Sequence, residues 1–294
     1  MVSIKKRRIG GRTYYYLEHS LRREGRVKKR EKYIGRNIPK NIEAVKAGFL
    51  YSIYREKWFD VFDRIKKNYS KEEKLTPKSA RQEEFRKFSI RFTYDTQRIE
   101  GSKLTLRETA ELLEAGVAPS GKPIRDVKEA EAHQKIFNDM LKQQKDLSLQ
   151  LILYWHTKLF EATKQDIAGR IRKHQVAISG SKFVPPSPAE ILPLLRDFFR
   201  WYERSKQKLH PIELASLAHL KFVTVHPFAD GNGRISRLIM NSIVNRNGFP
   251  MLNIAYQNRS SYYTALERSQ TKRQDQIFMQ WFFRRYVKEY RRYA

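Results

Sequence analysis

Apolar residues recur at helical spacing along most of the chain, beginning near residue 82. Phe85, Phe88 and Phe92 would lie on one face of the first of these helices, and similar stripes follow with short polar breaks between them. Helices joined by short loops are typical of one compact bundle, so we predict a mainly α domain over residues 82–294. The later predicted helices are residues 105–115, 123–142, 149–163, 188–204, 211–224, 234–245, 262–269 and 274–290.

The beginning of the chain has a different pattern. Residues 13–21 and 26–34 mix aromatic and β-branched residues with polar ones, which predicts two strands, and residues 23–25 suit a hairpin turn. Apolar positions at helical spacing then predict a helix over residues 41–68. We therefore predict a small module of a hairpin and a helix over residues 1–75.

Two further stretches interrupt the helical pattern. Residues 69–81 are polar and contain Pro77, which predicts a linker. Residues 175–184 predict a short β-hairpin, because apolar residues flank a Ser-Gly-Ser turn and a Pro-Pro pair then prevents further strand pairing. A single hairpin inside a helical bundle more often covers or presents a functional site than contributes to the core.

Charge changes this picture most at the N-terminus. The chain carries 60 Lys and Arg against 31 Asp and Glu, a formal net charge of +29, and residues 1–40 alone contribute +11. Such a field attracts polyanions, but it also suits a very soluble basic protein. Two interpretations of the N-terminal segment stay open: an exposed hairpin with Lys-protected edges, or a clamp for nucleic acid or another partner.

The remaining composition excludes several classes of protein. The chain has no cysteine, so disulfides, thiolate nucleophiles and zinc sites with sulfur ligands are excluded. The N-terminus lacks the apolar core of a signal peptide, and no apolar run approaches the ~18 residues that a membrane span requires. We therefore expect a cytoplasmic protein without a membrane partner.

One apparent phosphate loop is rejected. Residues 116–122 match most of the G-x-x-x-x-G-K pattern, but Pro123 stands where Ser or Thr is needed, and the preceding segment is a predicted helix rather than a strand. The capping pair Thr105 and Glu108 begins that helix, and Gly116 ends it.

A second glycine-containing loop has the residues of a phosphate site. The segment His226-Pro-Phe-Ala-Asp-Gly-Asn-Gly-Arg234 joins two apolar helices. Gly231 and Gly233 can adopt positive φ, and the loop leads directly into a helix, so backbone N–H groups can converge on an anion. Arg234 and Arg237 lie three residues apart on that helix, where both could reach the outer phosphates.

The same loop offers a base and a metal ligand. His226 can take a proton from an attacking hydroxyl, and Asp230 offers a hard carboxylate to Mg²⁺. A structural turn in which these two residues only cap helix ends accounts for each of them singly, but not for the whole set. The loop therefore predicts a nucleotide-phosphate site with its own base.

These residues resemble the signature of the Fic family, H-P-F-x-[D/E]-G-N-G-R-x-x-R, and every specified position is present over residues 226–237. Residues 169–172 followed by residues 176–186 resemble the flap hairpin of the family, which aligns a target segment by strand addition. Residues 259–263 resemble the segment near the nucleoside. The resemblance implies a mainly α, Fic-type helical bundle with one short β-hairpin flap, preceded by the small basic N-terminal region.

The resemblance also implies an activity and roles. The protein would be an adenylyltransferase that moves AMP from ATP to a Ser, Thr or Tyr hydroxyl of a protein, with His226 as the base and Asp230 binding Mg²⁺, or Mn²⁺ as an alternative. Gly233 favours AMP transfer over the phosphate transfer of the Doc branch of the superfamily. The nucleotide would contact Gly231, Asn232, Gly233, Arg234, Arg237 and Tyr263, and the target would dock at Val176, Ile178, Gly180 and Phe183 of the flap.

A short motif upstream resembles the inhibitory helix of the same family. Thr96-Gln-Arg-Ile-Glu100-Gly101 matches [S/T]-x-x-x-E-[G/N], within a helix expected around residues 84–100. We expect Glu100 to form a bidentate pair with Arg237 and so to keep that arginine from the γ-phosphate, while Thr96 stabilises the helix.

Several alternatives stay open at this stage. Glu100 could instead position a water for removal of AMP, and the basic segment 1–40 could make the protein a nucleic-acid-binding regulator. A catalytically inactive interaction protein is disfavoured because the motif is intact. The resemblance is also compatible with self-modification and with a homodimer, and it leaves the target protein unidentified.

Overall fold

The computed structural model describes residues 2–23 and 26–294 of the chain. The described residues fall into two compact units that divide between Arg64 and Ile65. The domain limits expected from the sequence, 1–75 and 82–294, stay a prediction. Among the described residues, no helix has both the length and the apolar character that crossing a membrane requires.

The first unit contains an antiparallel sheet in the order β1-β2-β3, with β1 at Ser3–Ile9, β2 at Arg12–Arg23 and β3 at Arg26–Gly35. The two predicted strands are confirmed as parts of β2 and β3. The strand β1 was not predicted, because its run of Lys and Arg hides the alternation. The predicted turn at residues 23–25 lies mostly outside the described residues.

One face of this sheet packs on α1 (Ile42–Tyr54). Leu17 of β2 is fully buried and forms a small core with Phe49 and Ile53 of the helix. Because side chains alternate along a strand, the neighbours of Leu17 point to the opposite face of the sheet. After α1 the chain continues through a π-helical turn at Arg55–Phe59.

The second unit is helical, and the helices predicted for it are confirmed. The predicted linker at residues 69–81 is wrong, because helix covers it except at Thr76 and Pro77. Lys, Glu and Arg are good helix formers, so an exposed polar stretch does not by itself indicate a loop. The helices are α2 (Asp60–Leu75), which begins in the first unit, α3 (Lys78–Ile99), α4 (Leu106–Ala115), α5 (Ile124–Gln143), α6 (Leu149–Phe160), α7 (Pro188–Ser205), α8 (Pro211–Val225), α9 (Asn232–Arg246), α10 (Arg259–Lys272) and α11 (Asp275–Glu289).

Local signals set the ends of α4 as predicted. Thr105 and Glu108 form a reciprocal capping box, and Gly116 ends the helix in the left-handed region with φ 69°. The rejected phosphate-loop segment therefore follows a helix, and α5 begins after Pro123.

Helices α8 and α9 lie at the centre of the unit. Every residue of α9 from Asn232 to Val244 is buried except Gly233. The buried set includes the charged side chains of Arg234 and Arg237 as well as apolar ones. A helix buried on all sides holds its charged groups only where other elements supply partners, and this places polar side chains deep in the bundle.

The predicted flap lies between α6 and α7, but its arms do not pair as strands. Its turn is centred on Gly180, where φ is 73° and the Ser181 N–H donates to the Ile178 carbonyl at 3.0 Å. The side-chain amide of Gln175 donates to the Pro185 carbonyl at 2.9 Å and so connects the two arms. The β-hairpin prediction is corrected to a turn with irregular arms, because side-chain hydrogen bonds to the carbonyls of His174, Pro185 and Pro186 connect the arms in place of a backbone ladder.

Candidate active site

The predicted phosphate loop joins the two central helices through two left-handed residues. His226 caps the end of α8 with φ 51°, and Gly231 precedes α9 with φ 82°. A Cβ atom on Gly231 would lie 2.7 Å from the Phe160 ring, so the loop requires glycine there for space as well as for φ.

Asn232 holds the loop in this shape. Its side-chain oxygen accepts from the Phe228 N–H, and its side-chain nitrogen donates to the Phe228 carbonyl, both at 2.9 Å. Phe228 itself is buried in the core. The Asn232 side chain is therefore committed within the loop, and only its backbone is placed at the helix N-terminus where an anion could bind.

The imidazole of His226 has a defined tautomer. Its Nδ1 lies 3.2 Å from the Val223 carbonyl oxygen. Since a carbonyl only accepts, Nδ1 carries the proton and Nε2 is the acceptor. Burial lowers the pKa of His226, so the neutral ring predominates at neutral pH.

A second histidine, His156, which no sequence pattern indicated, is hydrogen-bonded to the backbone of the loop. The Gly169 N–H donates to Nδ1 of His156 at 2.9 Å, so Nε2 carries the proton and donates to the Asp230 carbonyl at 3.1 Å. Its ring stacks on Phe228 with centroids 3.8 Å apart, and burial lowers its pKa to about 4. On the sequence, His156 lies in the apolar helix α6 and has no motif around it.

Arg172 connects the flap segment to the loop. Its backbone N–H donates to the Pro227 carbonyl at 3.0 Å, and its Nε donates to the His226 carbonyl at 2.9 Å. The remaining guanidinium nitrogens donate to the carbonyls of His174 at 2.9 Å and Pro186 at 2.6 Å, one on each arm of the flap. This buried side chain thus joins both arms of the flap to His226, the first residue of the loop.

The Asp230 carboxylate is surrounded by positive groups. One oxygen accepts from Arg234 at 2.9 Å and from the Gly231 N–H, and the other binds the ammonium of Lys164. Burial opposes ionisation, but Arg234 and Lys164 lower the pKa of Asp230, so the carboxylate is charged at neutral pH. Lys164 lies in the loop after α6, and no sequence signal pointed to it.

The buried guanidinium of Arg234 has acceptors on two other helices. Its guanidinium pairs with Glu129 of α5 and lies 3.2 Å from the side-chain oxygen of Gln97 of α3, besides its contact with Asp230. It also lies over the Phe160 ring, 4.7 Å from the centroid. In this arrangement Arg234 joins α3, α5 and α9, and its acceptors come from helices that no local pattern could connect.

The predicted contact between Glu100 and Arg237 is present, with one correction. Nη2 of Arg237 lies 2.5 Å from Oε1 of Glu100 and 3.3 Å from the Thr96 carbonyl, while Nη1 lies 3.4 Å from the Tyr262 hydroxyl. The pair is therefore made through one nitrogen and is not the bidentate pair that was expected. Thr96 contributes its carbonyl oxygen to the same guanidinium.

The Glu100 carboxylate lies against the predicted anion site. A Cβ atom on Gly233 would stand 2.3 Å from Oε1 of Glu100. A carboxylate this close to the loop occupies space beside the N-terminus of α9, and like charges repel. The arrangement can thus exclude a phosphate group from that position.

The remaining predicted site residues lie around this centre. The Tyr263 hydroxyl donates to the Ile99 carbonyl at 3.0 Å beside Glu100, and its ring is 45% exposed. The flap residues are half-buried or exposed, and the Lys182 N–H donates to Glu267 of α10 at 3.0 Å. The structure therefore brings together the loop, the upstream helix and Tyr263, with the flap attached through Arg172.

The sequence and the fold are similar to those of known proteins. A family model described as the Fic/DOC family matches residues 146–244. The solved structure of Fic-1 from C. elegans is 30% identical, with a TM-score of 0.72 over 87% of this chain and 77% of that chain. The chain belongs to the Fic/DOC family.

Other Fic proteins extend the comparison. The structure of a Fic domain containing signaling protein from Bacteroides thetaiotaomicron is 27% identical, with a TM-score of 0.68 over 77% of this chain and 95% of that chain. The protein adenylyltransferase Fic of Drosophila ananassae is 37% identical over 178 residues, 59% of this chain, and fic-1 of Caenorhabditis elegans is 38% identical over 181 residues. The match spans about a third of the length of these curated relatives (35% of each).

Proposed function

We propose that this protein is an adenylyltransferase that moves AMP from ATP to a hydroxyl of a protein. The observation that carries the proposal is the juxtaposition of a neutral imidazole at His226 with a glycine loop at the N-terminus of α9. The two curated relatives above are named as protein adenylyltransferases, which agrees with this chemistry.

The reaction needs one proton transfer and one displacement. Nε2 of His226 takes the proton of a Ser, Thr or Tyr hydroxyl as its oxygen attacks the α-phosphorus of ATP. A bond forms between that oxygen and the α-phosphorus, the bond from the α-phosphorus to the bridging oxygen breaks, and pyrophosphate leaves with the electron pair. Backbone N–H groups at the N-terminus of α9, next to Gly233, hold the phosphates, so catalysis comes from positioning and charge stabilisation.

Asp230 fits the role of a magnesium ligand. Among the described residues, no cluster of three or more His, Cys, Asp or Glu side chains could hold a metal ion. Mg²⁺ bound with a nucleotide needs only one or two carboxylates, and the Asp230 carboxylate is ionised and 35% exposed. When bound, the ion supplies charge to the phosphate oxygens; Mn²⁺ is the alternative.

Glu100 would hold the enzyme in an inhibited state. Its carboxylate is paired with Arg237 and lies next to Gly233. A γ-phosphate would therefore lack Arg237 as a partner and would be repelled by the negative charge of Glu100. Arg237 is the proposed partner of the outer phosphate once Glu100 leaves. Arg234 would keep Asp230 in place, since its other contacts bind it to Glu129 and Gln97.

The source of the transferred group distinguishes AMP transfer from phosphate transfer. We expect the Glu100→Gly protein to incorporate label from ATP carrying ³²P at the α-phosphate, and none from ATP labelled at the γ-phosphate. The measurement is autoradiography of the protein itself and of proteins in a host lysate. Label from the γ-phosphate alone would instead assign a kinase-type reaction.

Lys164 is expected to compete with the metal for Asp230. Replacing Lys164 by Met removes one of the two cations at this carboxylate, so half-maximal activity should need up to about fivefold less Mg²⁺, as a half-exposed pair is worth up to ~1 kcal/mol. Lys164→Arg keeps the charge and serves as the control. A higher Mg²⁺ requirement, or a raised KM for ATP, would assign Lys164 to the nucleotide instead.

The reverse reaction is the second candidate, because Glu100 has a partly exposed carboxylate beside the loop that could orient a water. It predicts that the wild-type protein releases AMP from a previously labelled target, and that Glu100→Gly does not. Adenylylated protein incubated with each variant and Mg²⁺ or Mn²⁺ measures this. Retention of label by both variants excludes removal of AMP.

A further inference from the structure

The outward face of the N-terminal sheet carries a cluster of tyrosines. Tyr14 and Tyr16 alternate with the buried Leu17 along β2, and Tyr33 of β3 stands opposite Tyr16 in the register. The ring of Tyr33 lies 5.3 Å from that of Tyr16 and 6.1 Å from that of Tyr14, between centroids. Tyr33 is 50% exposed, so aromatic surface faces solvent on the side of the sheet opposite α1.

Basic side chains surround these rings. The guanidinium of Arg7 lies 4.7 Å from the Tyr16 centroid, and that of Arg36 lies 5.9 Å from the Tyr14 centroid. Lys5 stands opposite Tyr16 in the register of β1 and β2, so its side chain lies on the same face as the tyrosines. Arg12 lies two residues before Tyr14 on β2, and the alternation of side chains places it on that face as well. We call this surface, Lys5, Arg7, Arg12, Tyr14, Tyr16, Tyr33 and Arg36, the tyrosine face.

The acids near the tyrosine face do not cancel its charge. Glu31 forms an ion pair with Arg7, and Glu18 lies 3.9 Å from Lys29. Both acids thus have a basic neighbour on the sheet, and Lys5, Arg12 and Arg36 add further positive charge at exposed positions. The surface as a whole is basic and is centred on aromatic rings.

We propose that the tyrosine face binds single-stranded nucleic acid, with bases stacked on the tyrosine rings and phosphates held by the surrounding Lys and Arg. Positive charge alone would suit a duplex or an acidic protein equally well. Exposed aromatic rings on a sheet select unpaired bases, because only those can present a π-face for stacking. This proposal is independent of the proposed transferase reaction, since it uses none of its residues.

Fluorescence polarisation with the full-length protein tests the proposal. The probes are fluorescein-labelled oligouridine RNA and oligothymidine DNA of about 16 nucleotides, near the upper site size of single-strand binders, and a duplex of the same length. We expect at least one single strand to bind more tightly than the duplex. Equal affinity for RNA and DNA would assign single strands in general, whereas preference for RNA would indicate contacts to the 2′-hydroxyl.

Substitutions separate stacking from charge. Tyr33→Ala should weaken binding by about fivefold or more, because it removes one stacking ring, and Tyr33→Phe should keep the affinity. Tyr154→Ala, at an exposed tyrosine of α6, is the matched control and should have no effect. Arg12→Ala should lower the slope of log affinity against log salt by about one while the preference for single strands persists.

Two results would overturn the proposal. One is the absence of single-strand binding at about 50 mM salt, where electrostatic contacts are strong. Another is binding that is equally tight for the duplex and unchanged in Tyr33→Ala, which would reduce the face to a charged surface. If Tyr33→Ala disturbs folding in circular dichroism, the comparison of single strand with duplex still decides, and an equal affinity there rejects stacking.

Discussion

Alanine in place of His226 is expected to lower AMP transfer by about 10²–10⁴-fold, the usual contribution of a positioned base. The neutral ring with its free Nε2 is the proposed acceptor of the substrate proton. The substitution leaves the backbone N–H groups of the loop in place, so ATP should bind with unchanged affinity. Transfer is measured with α-labelled ATP, and affinity by calorimetry.

The effect of His226→Ala is best measured in the Glu100→Gly protein, in which the proposed inhibition is absent. Glu100→Gly and Glu100→Gly/His226→Ala differ only at the proposed base, so loss of transfer with retained ATP binding assigns the defect to the chemical step. A double variant that keeps more than a tenth of the activity would place the base elsewhere. Loss of ATP binding together with activity would show that the substitution disturbs the loop, whose left-handed residue at position 226 is strained for most side chains.

Glycine in place of Glu100 is expected to raise AMP transfer to the protein itself by about tenfold to a hundredfold. The contact between Glu100 and Arg237 is a hydrogen bond between charged groups, worth about 1.5–3 kcal/mol, and its loss frees the guanidinium for the nucleotide. Glu100 follows the last residue of α3 with an ordinary φ of −87°, so glycine should not disturb the helix. Incorporation of labelled AMP over time measures the rate.

Glu84→Ala provides the matched control, since it removes an exposed carboxylate from the same helix. It should leave transfer at the wild-type rate. Equal labelling by the wild type and Glu100→Gly would reject the inhibitory role of Glu100. A rise in both variants would instead indicate a general effect of negative charge on α3.

The loop from His226 to Arg234 could be predicted because its signals are local. Two glycines, a base and a carboxylate lie within one turn between two apolar helices, and each residue type has few uses there. The environment of Arg234 could not be predicted in this way. Its acceptors Glu129 and Gln97 lie on other helices, and only the packing of the bundle decides that they meet it.

The errors in the fold have related causes. A signal for β1 was present at Gly10-Gly11, because such glycine pairs favour tight hairpin turns, and their φ values are 55° and 73°. The strand was still not predicted, because the run of Lys and Arg before this turn hides the alternation of apolar and polar residues. The flap was predicted as paired strands because apolar residues flank its Ser-Gly-Ser turn. The arms are instead connected by the hydrogen bond from the Gln175 side-chain amide to the Pro185 carbonyl, without a backbone ladder.

The four hydrogen bonds of the Arg172 backbone and guanidinium connect the flap rigidly to the loop at His226. A displacement of either arm of the flap would move the Arg172 side chain and, through it, the backbone of His226. If a target protein docks on the flap, as the resemblance implies, the affinity of docking and the orientation of the His226 imidazole are coupled. A target that fits the flap poorly would bind with lower affinity and, once bound, would also be modified more slowly.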